Sequence, residues 1–416
     1  NTNEALSLAD GDYIGLLDHD DILEVDTLYE VVKAINEKKA DIIYTDEDKV
    51  SLDLEEYFDP HFKPDYNPDY LKSCNYICHF FTAKKEIVEK VVGFDSSCDG
   101  SQDYDFILRC IRNASQIVHI PKILYHWRCH PNSTAMNPES KLYCYEAGKR
   151  AIGLDLKAGG LEEAEVKMGR YYGMYEVYYP LEKEPLVSII TTQKEAIAEL
   201  LRGMTYRNYE VIETGSERFV PEELNKATQK ATGEIILYLS SAKGAEKDNW
   251  LHVLAANVMR EEVAAAGPKL LNTDGNVLSA GLVVGLHGTA SGLFVGHEKD
   301  SNGYFNHAIT QQCVSAIAVN GMAIKKERFL KTNGWNEKLT AAQAGIQLCL
   351  DLQKNGDYVI FSPYAELYVD ETADSPHQIL IEDEEFQRQY GEMIKWDPYY
   401  NRNFDRNGEE FTLAYD

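Results

Sequence analysis

The sequence predicts an α/β protein in which one domain pattern is written twice. Strands and helices alternate along the chain, two long stretches resemble each other at constant spacing, and an apolar strand runs straight into a group of carboxylates. Alternating β and α segments favour a mostly parallel sheet covered by helices, with ligands outside the carboxyl ends of the strands.

In the first copy, residues 12–17 read as a buried strand. A helix is expected over about 22–38, where Val25, Leu28, Val32 and Ile35 recur at spacings of three and four. Strand 40–44 follows, then strand 77–82, helices 83–91 and 102–113, and a strand holding Ile123, Leu124 and Tyr125.

The second copy shows itself at fixed offsets. Residues 9–17 resemble 231–239 at an offset of 222, and Gly93-Phe94-Asp95 matches Gly334-Trp335-Asn336 at an offset of 241. A whole domain is repeated rather than a short solenoid unit. The second copy opens with strands 186–191 and 208–213; Asn1 corresponds to Glu223, so the first copy is expected to lack its leading strands. The expected organisation is a first domain over 1–151, a connector rich in Gly and Tyr over 152–184, a second domain over 185–375 and a tail over 376–416.

Composition narrows the function. A formal charge of −27 over 416 residues argues against nucleic acid or anionic lipid as an electrostatic partner. No apolar run approaches the roughly 18 residues that a membrane span needs, and no signal peptide is visible. Eight scattered cysteines favour reduced thiols and a cytoplasmic setting. Cys74 and Cys78 beside His79 lack a second Cys/His pair at ligand spacing, so zinc is not expected.

Three constellations carry chemistry. Asp18, Asp20 and Asp21 end the strand Ile14-Gly15-Leu16-Leu17, and two carboxylates one residue apart there suit Mg²⁺ or Mn²⁺, although such clusters are more often solvated turns. Asp103 opens a helix, where a carboxylate serves as a cap or as a general base. His126, Arg128, His130, Ser133 and Thr134 follow the last strand; an imidazole can complete a carboxylate-bound metal site, and these side chains can donate to phosphate oxygens. In the second copy Asp18, Asp20 and Asp21 face Ser240, Ala242 and Lys243, and Asp103 faces Ala344, so that copy is expected to have lost its site.

Leu16-Leu17-Asp18-His19-Asp20-Asp21, Tyr44-Thr45-Asp46-Glu47-Asp48-Lys49, Phe62-Lys63-Pro64-Asp65-Tyr66, Gln102-Asp103-Tyr104-Asp105 and Tyr125-His126-Trp127-Arg128 together resemble the family 2 glycosyltransferases of GT-A fold. The resemblance is strongest to two-domain bacterial enzymes, rhamnosyltransferases among them, that build surface polysaccharides. It implies two tandem GT-A domains, Rossmann-like and built for nucleotide-diphospho-sugars, the second degenerate. It further implies inverting transfer from a nucleotide-diphosphate sugar to a glycan or lipid-linked glycan, at the inner membrane face if the acceptor is membrane-bound. Mn²⁺ or Mg²⁺ would sit on Asp18, Asp20 and His126, Asp103 would be the base, and Asp21, Gln102, Trp127, Arg128, His130, Ser133 and Thr134 would contact substrate. The rival expectations are a catalytically dead carbohydrate-binding or scaffold protein and a glycosidase that uses two carboxylates without metal.

Overall fold

The computed structural model describes residues 2–129, 142–370 and 377–414, which form two compact units, Asn1–Val177 and Tyr178–Asp416. In the first unit the order is α1 (Thr2–Leu8), β1 (Tyr13–Leu16), β2 (Ile22–Leu23), α2 (Thr27–Lys38), β3 (Ile42–Val50), β4 (Tyr57–His61), α3 (Pro68–Ser73) and β5 (Phe81–Lys84). It continues with α4 (Lys85–Lys90), α5 (Gln102–Arg112), β6 (Ile117–Arg128), α6 (Leu142–Ala158), β7 (Glu165–Met168) and β8 (Tyr175–Tyr178).

The sheet has the order β1-β5-β3-β6-β2, with β4 also on β3. It is mixed rather than mostly parallel: β3 and β6 run parallel, whereas β1 with β5, β3 with β5, and β2 with β6 are antiparallel. The reason lies between β3 and β5, where the chain makes the β4 hairpin and the short α3 instead of a full crossover helix, so β5 enters from the opposite end. Strand β1 was expected to be buried; it lies at the sheet edge and is partly exposed.

Helix α2 starts later than its apolar spacing suggests. Ile22 and Leu23 pair with His126 and Tyr125, and the Thr27 hydroxyl donates to the Leu124 carbonyl at 2.9 Å, fixing the helix start against the sheet. The buried face is Thr27, Val31 and Ala34, while Val25, Leu28 and Val32 are exposed. Both stripes have the helical period, and the smaller side chains allow the closer approach to the sheet. Val31 and Ala34 join Ile43, Phe80, Val118, Ile120, Leu124 and Tyr125 in one core, where each large apolar side chain contributes about 1.5–3 kcal/mol.

The expected connector holds regular structure. Helix α6 crosses residues 151 and 152 without a break, and β7 pairs with β8. In the second unit the strand order is Tyr209–Glu213, Val187–Thr191, Ile235–Tyr238, Met322–Lys325, Val263–Leu271, Tyr358–Tyr368 and Gly244–Ala245. From Ile235–Tyr238 onward this reproduces the five-strand order of the first unit, with the same pairing senses. Two parallel strands cover the position that β1 leaves open, and Ile235–Tyr238 is fully buried. The expected tail holds helix Glu384–Lys395, and Asp397 accepts the Val284 amide at 2.7 Å, so it is part of the second unit.

Gly148 sets how closely α6 approaches β8. A Cβ there would lie 2.1 Å from the Tyr175 hydroxyl, which donates to the Tyr145 carbonyl at 2.9 Å. Gly148→Ala is expected to destabilise the chain by roughly 1–3 kcal/mol in urea titration, with partial recovery when combined with Tyr175→Phe. At Gly153 of the same helix nothing lies within 4 Å of such a Cβ, and Gly153→Ala is expected to stabilise by up to about 1 kcal/mol.

Candidate functional site

Past the end of β1 the chain turns sharply, the Asp21 amide donating to the Asp18 carbonyl at 3.2 Å. The turn carries residue 21 round to residue 18. Oxygens of Asp18 and Asp21 and a ring nitrogen of His79 lie within 4.8 Å of one another, the sole such group of three among the described residues. An extended Asp18-His19-Asp20 would have aimed Asp18 and Asp20 the same way, but a turn brings i and i+3 together instead. Asp20 stands outside the group, and so does His126.

His126 stands apart from the group for a reason of strand alternation. Tyr125 and Trp127 project to the side of His79, with ring centroids 4.6 and 5.7 Å from it. His126 points to the other face of β6, where its Nδ1 meets Asp48 Oδ1 at 2.6 Å. His79 takes the place expected of it, and sequence reasoning did not assign it a role.

The His79 imidazole is held from behind. Its Nδ1 lies 3.2 Å from Glu47, and Cys78 Sγ lies 3.5 Å from Nε2. Glu47 also pairs with Lys63 at 3.0 Å, and Lys63 donates to the Ile77 carbonyl at 2.8 Å and to the His79 carbonyl. Burial works against ionisation of Glu47, but the Lys63 ammonium and His79 hold its carboxyl well below the ordinary carboxylate range. Burial would lower His79, yet the facing Cys78 and Glu47 raise it well above its usual value. A carboxylate behind a ligating imidazole fixes its orientation, and two carboxylates with one imidazole fit a hard divalent ion.

Asp21 is braced as well. It accepts from the Tyr125 hydroxyl and, at 2.8 Å, from the Arg128 amide, while partial burial raises its carboxyl above the ordinary value. The Arg128 Nε is buried and has no hydrogen-bond partner among the described residues. His130, Ser133 and Thr134 lie outside the described residues.

Across from these groups, Asp103 opens α5 and accepts from Asn75 Nδ2 at 3.0 Å. Burial raises its carboxyl, and His79 and Asp18 are near enough for their charges to act on it. Asp103, Gln102 and Trp127 line one cleft of about 720 Å³. Gln102 accepts the Gly100 amide at 2.8 Å. The sequence placed Asp103 and Asp18; it missed Glu47, Lys63, Asn75 and Tyr125, whose roles depend on contacts between distant segments.

In the second unit, Asn320 stands two residues before its strand, as His79 does before β5. It accepts the Ser240 amide at 3.0 Å and donates to the Ser241 carbonyl at 3.1 Å. Ala242, Ala344 and Val369 are buried, and Lys243 pairs with Asp370 at 3.0 Å.

Residues 1–92 match the sequence profile of glycosyl transferase family 2, a span that includes Asp18, Asp21 and His79 and ends before Asp103. The chain is 35% identical to an uncharacterized protein of Sinorhizobium fredii over 99% of its own length and 50% of that protein's. It is 29% identical to an O-antigen biosynthesis protein of Myxococcus xanthus over 96% of its length and 34% of that protein's. The chain thus spans half or less of the length of these curated relatives. Among solved structures, TarS of S. aureus in complex with UDP-GlcNAc aligns at 18% identity over 37% of this chain and 45% of that one, with a TM-score of 0.29. A mannosyltransferase of Pyrobaculum calidifontis in complex with GDP-Man and Mn²⁺ aligns at 13% identity over 57% and 70%, with a TM-score of 0.31.

Lys63→Met would leave Glu47 buried without its cation, which costs about 3–5 kcal/mol, and Lys63→Met with Glu47→Gln is expected to recover much of that loss in urea titrations. Because the Glu47 value is depressed in the folded chain, the pair's stabilisation is present at neutral pH and is lost as pH falls from the ordinary carboxylate range through the depressed Glu47 value. The double variant should show a weaker acid dependence than wild type over that window.

Proposed function

We propose that this chain, whose first unit carries a glycosyl transferase family 2 domain, moves a sugar from a nucleotide-diphosphate donor to a growing cell-surface polysaccharide with inversion at the anomeric carbon. The observation that carries this reading is the convergence of Asp18, Asp21 and His79 beside Asp103, within and next to the family match. The named O-antigen relative supports a polysaccharide as the acceptor. Each unit is read as a GT-A-type domain, the five-strand order common to both being the support.

Asp18, Asp21 and His79 would hold Mn²⁺ or Mg²⁺, with Glu47 and Tyr125 fixing two of them. A divalent ion, when bound, neutralises charge on the leaving diphosphate. Arg128 contributes its backbone amide, which holds Asp21; its side chain alternates to the His126 face of β6, away from the group. Asp103 takes the proton of the acceptor hydroxyl as its oxygen attacks the anomeric carbon and the bond to the diphosphate oxygen breaks. A raised carboxyl suits that task, since a stronger base at the working pH accepts the proton more readily. The second unit, with Asn320 and Ser240 closing on each other, is read as a support or a glycan-holding domain without chemistry of its own.

Calorimetry with UDP and GDP in the presence of Mn²⁺ tests the ligand set. Asp18→Asn and Asp21→Asn are expected to weaken metal-dependent binding at least tenfold, and Asp20→Asn far less; equal losses at Asp20 and Asp21 would restore the one-residue spacing as the ligand pair. In sugar-transfer assays Asp103→Asn should lower turnover by roughly a hundredfold with donor affinity nearly intact. Near-normal turnover would leave Asp103 as a helix cap.

A further inference from the structure

The cleft that holds Asp103 is walled on its far side by tyrosines from α6 and the β7–β8 turn, a segment outside the family match and without an assigned role. Tyr172 is 52% exposed and Tyr171 40%, and Tyr172 stacks on Tyr145 with ring centroids 5.0 Å apart and planes 14° from parallel. One face of Tyr172 is therefore covered by Tyr145, and both rings line the cleft. Two hydrogen bonds lock this wall: the Tyr175 hydroxyl donates to the Tyr145 carbonyl, and Ser101 Oγ donates to the Cys144 carbonyl at 2.7 Å. Gly173, at φ +79°, and the Gly169 amide bonded to the Met174 carbonyl at 2.7 Å fix the turn that presents Tyr171 and Tyr172.

We propose that this wall is the acceptor subsite and that its occupant is a neutral oligosaccharide, with a sugar ring lying on Tyr172 and a hydroxyl reaching Asp103. The inference rests on the transferase reading for the role of Asp103, but the binding itself does not. A pyranose offers a flat face of C–H groups to an aromatic ring and a rim of hydroxyls to polar neighbours. Both kinds of partner line the cleft: the rings of Tyr171, Tyr172 and Trp127, and Gln102, Asn75 and Ser101 for the rim, with the Arg170 guanidinium over the Tyr171 ring. Its volume of about 720 Å³ exceeds what one sugar ring needs and falls within the roughly 300–1,000 Å³ common for ligand sites. The formal charge of −27 and the Asp103 carboxyl disfavour an anionic glycan. Exposed aromatics held in place before binding lose little rotamer freedom on contact, which is the economy that paratope tyrosines use.

Saturation-transfer NMR and calorimetry on the full chain, with di- to tetrasaccharides of glucose, rhamnose and N-acetylglucosamine, test the subsite, and UDP with Mn²⁺ is titrated in parallel. Wild type should bind at least one neutral oligosaccharide. Tyr172→Ala should weaken that binding at least tenfold, Tyr172→Phe should keep it within about threefold, and both variants should bind UDP with Mn²⁺ as wild type does. Retained stacking in Tyr172→Phe separates a ring contact from a folding defect. Absence of oligosaccharide binding beside intact nucleotide binding would overturn the subsite and leave the transferase reading standing. Oligosaccharide binding that needs Tyr172, without nucleotide binding, would keep the subsite and overturn the transferase reading. Binding of an unstructured peptide but of no oligosaccharide, or equal binding by Tyr172→Ala and wild type, would also overturn it.

Discussion

The buried pair of Glu47 and Lys63 is the constraint on which the site depends. An ammonium and a carboxylate taken out of water are each costly, and the attraction between them offsets that cost only when their remaining hydrogen-bonding capacity is used. Here it is used: Lys63 spans from Glu47 to the carbonyls of Ile77 and His79, and Glu47 reaches His61 and His79. The pair therefore does more than neutralise itself. It ties β3 to the segment before β5, and so fixes where the imidazole stands relative to the turn after β1. Stacking of His79 on Tyr125, whose hydroxyl donates to Asp21, closes the circuit from one candidate ligand to another.

Much of this was legible before any coordinates. Asp18 at a strand end, Asp103 at a helix start and the alternation of elements all follow from local pattern, which reports on period and on turn chemistry. What pattern does not report is which of two nearby groups faces a distant third. Asp20 and Asp21 differ only in a turn whose sharpness is set by one backbone bond, and His126 and His79 differ in which face of the sheet they meet. The hydrophobic stripe on α2 missed for the same reason: Thr27 and Ala34 are poor hydrophobic signals, yet their size permits contact with the sheet. The sense of β5 was also out of reach, since it depends on what residues 51–80 do in space.

The second unit keeps the sheet with different side chains at its loops. Its sheet keeps the order and the pairing senses of the first, and these rest on backbone pairing and apolar burial. At the loops the carboxylates are gone, and where His79 would face Asp18 an asparagine bonds to the backbone of the corresponding turn. The neutral amide satisfies backbone groups of that turn directly, so the turn is ordered by contacts within the chain. The order of the strands thus does not depend on which side chains stand at the loops.

The pairing of β1 with β5 and of β3 with β6 has a kinetic side. Tyr13 meets Lys84 and Ile42 meets Ile117, so most of the sheet in the first unit forms between segments far apart in the chain. Long loops must close before those pairings return any free energy, and such topologies fold slowly. Asp18 and Asp21 come from one side of that closure and His79 from the other. Only a chain in which those distant segments have met brings the three together. Any ligand that engages all three residues binds only chains in which that closure has been made, and draws the equilibrium toward them.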